Sequence, residues 1–332
     1  MILLLGFIFG AILQYASLNK YNVIAGMATL ENLAVAKTIA FAIGLGAILV
    51  NLEIYLGFAS YHVKPLILGG VILGGLVFGT GMAILGYCPG TLAISLGEGS
   101  LDALTGILGA LAGSFVFTIA WSPLQGLLGP DLGSISLHSL AGNGFLFFIL
   151  LFIFGSLFMG VALWLHKVEK TDNYKWLHSG IALAILTAFI FLSVTTNRVV
   201  GASSTYPYLS GILTGMTDHP YFEKVRTAGH WELIFLTGAF IAGLVLSLFK
   251  KEFKLTFLHS HWIKYKGSGQ AKRVAWSFTG GFLLLFGARM AGGCTSGHVI
   301  SGGMQLAASS LVFAAFVFAG LLLTGKIFYR KQ

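Results

Sequence analysis

Long apolar runs constrain what this chain can fold into more than any other feature. Several stretches have roughly 18 or more mostly apolar residues, about the length that a helix needs to cross a bilayer. The predicted spans fall near 1–15, 33–57, 66–87, 101–121, 144–166, 178–195, 231–249, 275–292 and 307–325. Only 9% of the 332 residues are charged, against about 25% in soluble domains. The sequence predicts an all-α polytopic membrane protein with about nine transmembrane helices, the first of them retained, since no cleavage site follows it.

Positive charges predict which ends of these spans face the cytoplasm. Three basic clusters occur: Lys167, Lys170 and Lys175; seven residues within 250–273; and Lys326, Arg330 and Lys331 in the tail. Cytoplasmic loops carry an excess of Lys and Arg. The pattern therefore places the C-terminus in the cytoplasm and the N-terminus outside. The 16–32 loop is then inside, and the 195–230 loop is outside despite its three basic residues.

Two segments with one cysteine each indicate an internal repeat. "FGTGMAILGYCPGT" (Phe78–Thr91) and "FGARMAGGCTSG" (Phe286–Gly297) share FG, then MA, a glycine and the cysteine. Four spans precede the fifth and four follow it in the opposite orientation, which is a common transporter architecture. The sequence predicts a first repeat over 1–121 with the Cys88 loop, a one-span connector over 122–176, and an inverted second repeat over 177–332 with the Cys294 loop.

Glycine-rich breaks surround both cysteines. Such backbone at membrane depth is tolerated only where protein or a water-filled cavity satisfies its polar groups, and paired breaks point to a transport site. We expect two re-entrant loops that meet in an hourglass-like constriction. Pro89 suits the first position of a short helix with Cys88 near its cap, and Thr295 or Ser296 can cap a second helix. Helix N-termini directed at the cysteines favour an anion.

The residues in these loops define a candidate substrate pathway. A thiol is a weak donor with a polarizable sulfur, so it can contact a soft sulfur anion and still release it, as conduction requires. The pathway candidates are Cys88, Pro89, Gly90, Thr91, Arg289, Cys294, Thr295, Ser296 and His298.

Each candidate also has a structural explanation. A buried cysteine can be a small apolar filler, His298 can cap or pack a helix, and Arg289 can tie down loop carbonyls. His298, four residues after Cys294, could instead line the pathway or act as a base for the thiol. Two ligands are too few for a structural metal site, and no nucleotide-binding loop occurs in a strand–helix context, so neither metal nor cofactor is predicted. Glu98 and Asp102, which flank the first loop, are expected to lie in a solvated turn.

The two cysteine motifs resemble those of the YeeE/YedE family of bacterial inner-membrane proteins. "GMAILGYCPGT" and "GARMAGGCTSGH" carry the resemblance. It implies uptake of thiosulfate or a related sulfur compound, an hourglass-shaped inverted repeat, and S–H hydrogen bonds to the anion from Cys88 and Cys294. It also implies a small soluble sulfurtransferase of the TusA type as a cytoplasmic partner. Thiosulfate-transporting members carry a further cysteine after the first span, where this chain has "NKYNV", so Asn22 becomes a candidate outer site. Either two thiols and an amide suffice, or the outer site differs and the substrate is another sulfur species.

The sequence thus predicts an uptake transporter or channel for thiosulfate or a similar sulfur anion, and not an enzyme. Two alternatives stay open. One is a membrane thiol enzyme that uses Cys294 with His298 as base. The other is a membrane scaffold for a sulfurtransferase that acts on sulfur or selenium compounds.

Overall fold

A computed structural model describes residues 1–142 and 144–330. Lys331 of the basic tail lies outside the described residues. The first third of the chain forms α1 (Ile2–Tyr15), α2 (Tyr21–Ala28), α3 (Ala34–Tyr55), α4 (Leu68–Leu85), α5 (Pro89–Gly97) and α6 (Leu101–Ile119). The middle forms α7 (Trp121–Leu128), α8 (Leu137–Ala141) and α9 (Phe145–Glu169). The last part forms α10 (Lys175–Phe191), α11 (Thr205–Thr214), α12 (Pro220–Phe249), α13 (Ser260–Lys266), α14 (Gln270–Met290), a π-helix (Thr295–Gly302) and α15 (Ala308–Phe328).

The predicted all-helical membrane fold is confirmed, since the described residues form helices and no strands. Among residues 1–142 and 144–330, six helical segments are long and apolar enough to cross a membrane, and α14 with the π-helix makes a seventh, bent by 48°. The six are α3, α4 with α5, α6, α9, α12 and α15. Two further apolar helices, α1 with 14 residues and α10 with 17, are shorter. Each of the nine apolar segments therefore contains a helix, while the count of nine spans stays a prediction.

Glycines let the central helices approach one another closely. A Cβ on Gly79 of α4 would lie 2.2 Å from the backbone oxygen of Val317 in α15. A Cβ on Gly281 of α14 would lie 2.0 Å from the backbone oxygen of Gly106 in α6. Small residues are used in this way in membranes, where helix association depends on close packing and not on a difference in hydrophobicity. Many of the chain's glycines thus lie at the contacts between helices.

The long helices pack in a reciprocal pattern. Helix α4 packs against α15, as α14 packs against α6, and α4 and α14 also contact each other. Around this centre α1 packs against α12, and α3 against α10. Helix α9 lies at the periphery, mainly against α3, and exposes a large apolar surface that includes Phe152, Leu157 and Trp164. In a membrane protein such a surface faces lipid.

Candidate functional site

The first cysteine lies directly before a short helix, as the sequence predicts. Helix α5 starts at Pro89, and Cys88 occupies the cap position with an extended backbone. The backbone N–H of Cys88 donates to the Thr91 hydroxyl over 2.8 Å, and that hydroxyl lies 3.4 Å from the Cys88 sulfur. The hydroxyl of Tyr206 donates to the Pro89 carbonyl over 2.8 Å and ties this loop to α11.

The second cysteine also lies directly before a helix, but the cap differs from the prediction. Gly292 adopts a φ of 72° in the turn that ends α14, and Cys294 itself is extended at the cap of the π-helix. Thr295 and Ser296, expected to cap this helix, instead lie in its first turn, because the glycine turn ends before Cys294. The thiol of Cys294 lies 3.1 Å from the Ser296 hydroxyl.

The two loops meet at one small cavity. Cys88, Gly90 and Thr91 line it from the first loop, and Thr295 and Ser296 line it from the second. Its volume is about 50 Å³, where a single water needs about 10–15 Å³ by the same measure. The rest of its wall is largely apolar and includes Phe9, Leu13, Leu18, Ile24, Val35, Ile39, Met82, Leu183 and Ile300. The cavity therefore offers hydroxyls, a thiol and helix N-termini inside an apolar shell, an arrangement suited to a small anion.

Both ring nitrogens of His298 form hydrogen bonds with groups other than the cysteine thiols. Its Nε2 lies 2.8 Å from the carbonyl oxygen of Ala291, and its Nδ1 lies 3.3 Å from the Ser310 hydroxyl. Because a carbonyl can only accept, Nε2 carries the proton and Nδ1 accepts from the serine. The ring is fully buried, and these contacts tie the cysteine loop to the end of α14 and the start of α15.

Arg289 is buried and points toward hydroxyl groups of neighbouring segments. Its Nε donates to the Tyr221 hydroxyl over 2.6 Å, and its Nη1 donates to the Ser203 hydroxyl over 3.2 Å. It therefore joins α14 to α12 and to the segment before α11, and its hydrogen bonds go to hydroxyls instead of the expected loop carbonyls.

The expected solvated turn at Glu98 and Asp102 is wrong. Asp102 is fully buried, and its Oδ2 accepts from Arg273 Nη2 over 2.6 Å and from Nε over 3.1 Å. The Tyr87 hydroxyl donates to the same carboxylate over 3.2 Å, and His259 Nε2 lies 3.1 Å from Oδ1. Tyr87 directly precedes Cys88, so this buried network lies against the first cysteine loop. Sequence reasoning missed it because Arg273 had been counted among the charges of a cytoplasmic loop.

Glu98 is also buried, beside the end of α5. Its carboxylate accepts from Gln14 Nε2 and from Lys20 Nζ, both over 2.7 Å. Because Lys20 is 78 positions away from Glu98 in the chain, this ion pair could not be predicted from sequence spacing.

Lys64 is a further cation at the cysteine loops that sequence reasoning left without a role. Its Nζ donates to the carbonyl oxygen of Gly292 over 2.6 Å, two residues before Cys294. Burial of the ammonium group lowers the pKa of Lys64 to about 8. The sequence signal that could have identified Lys64 is its position: it is a basic residue in a loop that the charge pattern places outside.

Asn22 is not brought to the cysteine cavity. Its Oδ1 accepts from the backbone N–H of His261, and it lines a separate cleft that includes Glu31 and Lys264. Lys264 belongs to the basic 250–273 segment. An outer position for Asn22 and a cytoplasmic position for that segment therefore cannot both hold, and each of the two stays a prediction.

Broken helices that meet at a thiol-bearing cavity, in a bundle of apolar helices, define a membrane transport protein. A profile for sulphur transport proteins matches residues 19–323, and the chain belongs to this family. The resemblance predicted from the two cysteine motifs is thereby confirmed. The chain is also 27% identical over 351 residues to the thiosulfate transporter TsuA of Spirochaeta thermophila, in an alignment that covers 99% of this chain and 98% of the relative.

Proposed function

We propose that this protein carries thiosulfate or a closely related sulfur anion across the inner membrane into the cell. The observation that carries the proposal is a small cavity that residues of both cysteine loops line together. Membership of the sulphur transport family and similarity to a thiosulfate transporter along the whole chain support the same substrate class.

The chemistry of the cavity suggests how the anion passes. Amide groups at the starts of α5 and of the π-helix supply partial positive charge, and the hydroxyls of Thr91 and Ser296 supply donors. Cys294 and then Cys88 donate S–H hydrogen bonds to the anion, each weak enough to be broken as it moves on. No covalent bond forms in this pathway.

The orientation with the N-terminus outside and the C-terminus in the cytoplasm is part of the proposal. The 16–32 loop, the 250–273 segment and the C-terminus come together, since the Tyr21 hydroxyl lies 2.7 Å from that of Tyr329, and the His261 ring packs on the Tyr329 ring at 4.9 Å. One end of the bundle thus carries most of the lysines, as the positive-inside rule requires of the cytoplasmic end. A TusA-type sulfurtransferase that accepts the sulfur compound would dock there.

We also infer that the chain is an inverted repeat of 1–121 and 177–332, joined by the connector 122–176. The reciprocal packing supports this division. If α4 corresponds to α14 and α6 to α15, the contact of α4 with α15 maps onto that of α14 with α6. The contacts of α1 with α12 and of α3 with α10 exchange in the same way. The two re-entrant cysteine loops would be the equivalent parts of the two repeats.

The thiol-enzyme alternative has less support. It needs His298 to take a proton from Cys294, yet the histidine Nε2 carries a proton bonded to Ala291, and Nδ1 accepts from Ser310. An enzyme would leave a covalent sulfur adduct on Cys294 during turnover, which mass spectrometry of the intact protein would detect. A scaffold without transport activity would give no flux when purified alone.

The decisive experiment is uptake of labelled thiosulfate by proteoliposomes that contain the Cys294→Ala variant. We expect uptake to be abolished while membrane insertion and yield stay unchanged. Ser156→Ala is the matched control, because it removes a small polar group from the exposed face of α9 and should transport normally. Uptake by Cys294→Ala at the rate of the unaltered protein would refute a pathway through this thiol.

A further inference from the structure

A second cavity lies at the end of the bundle opposite to the lysine-rich segments. Its volume is about 320 Å³, and its polar wall consists of His62, Asn197, Arg198, Trp231 and Glu232. These residues come from the loop between α3 and α4, the loop between α10 and α11, and the first part of α12. Sequence reasoning assigned no role to this region beyond an outside loop.

We call this second cavity the entry cavity. Hydrogen bonds join the loops that form its walls to the segment that follows Cys294. The backbone N–H of Val200 donates to the Ser301 hydroxyl over 3.0 Å, and the backbone N–H of His62 donates to Gln305 Oε1 over 2.6 Å. A ligand in the cavity would therefore lie beside the π-helix, on the way to Cys294 from this end.

Arg198 supplies positive charge to the entry cavity. Of the three basic residues in the 195–230 loop, Arg198 lines the cavity. The side chain is half-buried, and no ion pair to it is found among residues 1–142 and 144–330. A guanidinium offers a planar fork of donors that suits oxyanions.

The other polar groups of the cavity leave that charge available. Glu232 Oε2 accepts from the backbone N–H groups of Ser204, over 2.5 Å, and Thr205, over 3.3 Å. Its carboxylate thus caps the start of α11. The indole N–H of Trp231 is buried and has no hydrogen-bond partner within the described part of the chain, a state that carries a free-energy cost unless a ligand or water accepts from it.

We propose that this entry cavity is the site where the sulfur oxyanion first binds, held by the Arg198 guanidinium with the Trp231 indole as a further donor. This assignment rests on the proposed transport function. The ligand class is a small oxyanion with at least two acceptor oxygens, since the guanidinium fork is bidentate. The anion then passes Lys64 and reaches the Cys294 loop.

The test compares Arg198→Gln with Arg226→Gln. Arg226 lies in the same outside region, but its side chain is 63% exposed and pairs with Glu223 three residues away. The loss of a charge-assisted hydrogen bond should raise the KM for thiosulfate uptake on the order of 10–100-fold in Arg198→Gln. The rate at saturation should be kept, and Arg226→Gln should match the unaltered protein.

Calorimetric titration with thiosulfate separates this inference from the transport proposal. In Cys294→Ala, binding should persist although flux is lost, and Arg198→Gln should abolish the binding signal. Arg198→Lys, which keeps the charge without the fork, should recover part of the affinity and also guards against a folding defect. Wild-type KM and binding in Arg198→Gln would overturn the entry site while leaving transport intact. If thiosulfate binding depends on Arg198 but the unaltered protein shows no thiosulfate flux, the transport proposal is refuted and the binding site stands.

Discussion

The buried pair of Asp102 and Arg273 allows a quantitative prediction about the first cysteine loop. The guanidinium donates twice to Asp102 Oδ2, and it also donates to the backbone oxygens of Ile84, over 3.2 Å, and Leu85, over 2.6 Å. It thereby satisfies the last carbonyls of α4, the helix that leads into Cys88. Both charged side chains are fully buried. Asp102→Asn would therefore leave a buried cation without its counter-charge.

The expected cost follows from this geometry. Two charges about 4 Å apart interact by about 4 kcal/mol at an effective dielectric constant near 20, and breaking a buried pair by removing one partner costs about 3–5 kcal/mol. We therefore expect Asp102→Asn to lower the unfolding temperature in detergent by roughly 5–15 °C. Arg273→Met should be destabilising to a similar degree, because it strands the carboxylate.

The double variant is the informative control. Asp102→Asn combined with Arg273→Met removes both charges, and replacing a buried ion pair with apolar or neutral groups is often close to neutral. Thermal unfolding followed by tryptophan fluorescence should place the double variant above either single one. Additive losses in the double variant, or a loss below about 1 kcal/mol in Asp102→Asn, would refute the idea that this ion pair holds the end of α4.

Two further predictions concern charge and packing. Lysine is charged below its pKa, so with a Lys64 pKa of about 8 its cation should be mostly present at pH 7 and mostly lost by pH 9, and thiosulfate uptake should fall over that interval. Lys64→Arg, whose charge does not titrate there, should hold uptake level; an equal fall in that variant would show that another group is responsible. Gly281→Val should prevent accumulation of folded protein, measured as fluorescence of a C-terminal fusion, because its Cβ would lie 2.0 Å from the backbone oxygen of Gly106. Gly160→Val, whose Cβ meets nothing within 4 Å, is the matched control, and equal yields would contradict the packing argument.

The helices could be predicted from sequence because each apolar run is a local signal. The runs near 33–57 and 101–121 correspond to α3 and α6 within two residues at each end. The short helices α2 and α11, with 8 and 10 residues, were missed, since neither is long enough to give a clear hydropathy pattern. Their stability comes mainly from tertiary packing.

The candidate site was predictable where its signal is local and not where it depends on distant partners. The start of a short helix at Pro89 was predicted correctly, because proline suits the first helical position whatever side chains surround it. The buried ion pair was missed, since its members are 171 positions apart. The cap of the second helix was placed one or two residues too late, because the turn at Gly292 and not the capping preference of Thr295 decides where that helix begins.

The size of the central cavity has a consequence for which anions can pass. About 50 Å³ has room for only a few waters, so an ion must give up nearly all of its hydration shell there. The hydroxyls and the Cys88 thiol that replace those waters are weak, neutral donors, and they return only part of the hydration energy. The cavity should therefore select anions by their hydration energy. A large anion with diffuse charge should cross readily, while an anion of the same charge and stronger hydration should remain in solution.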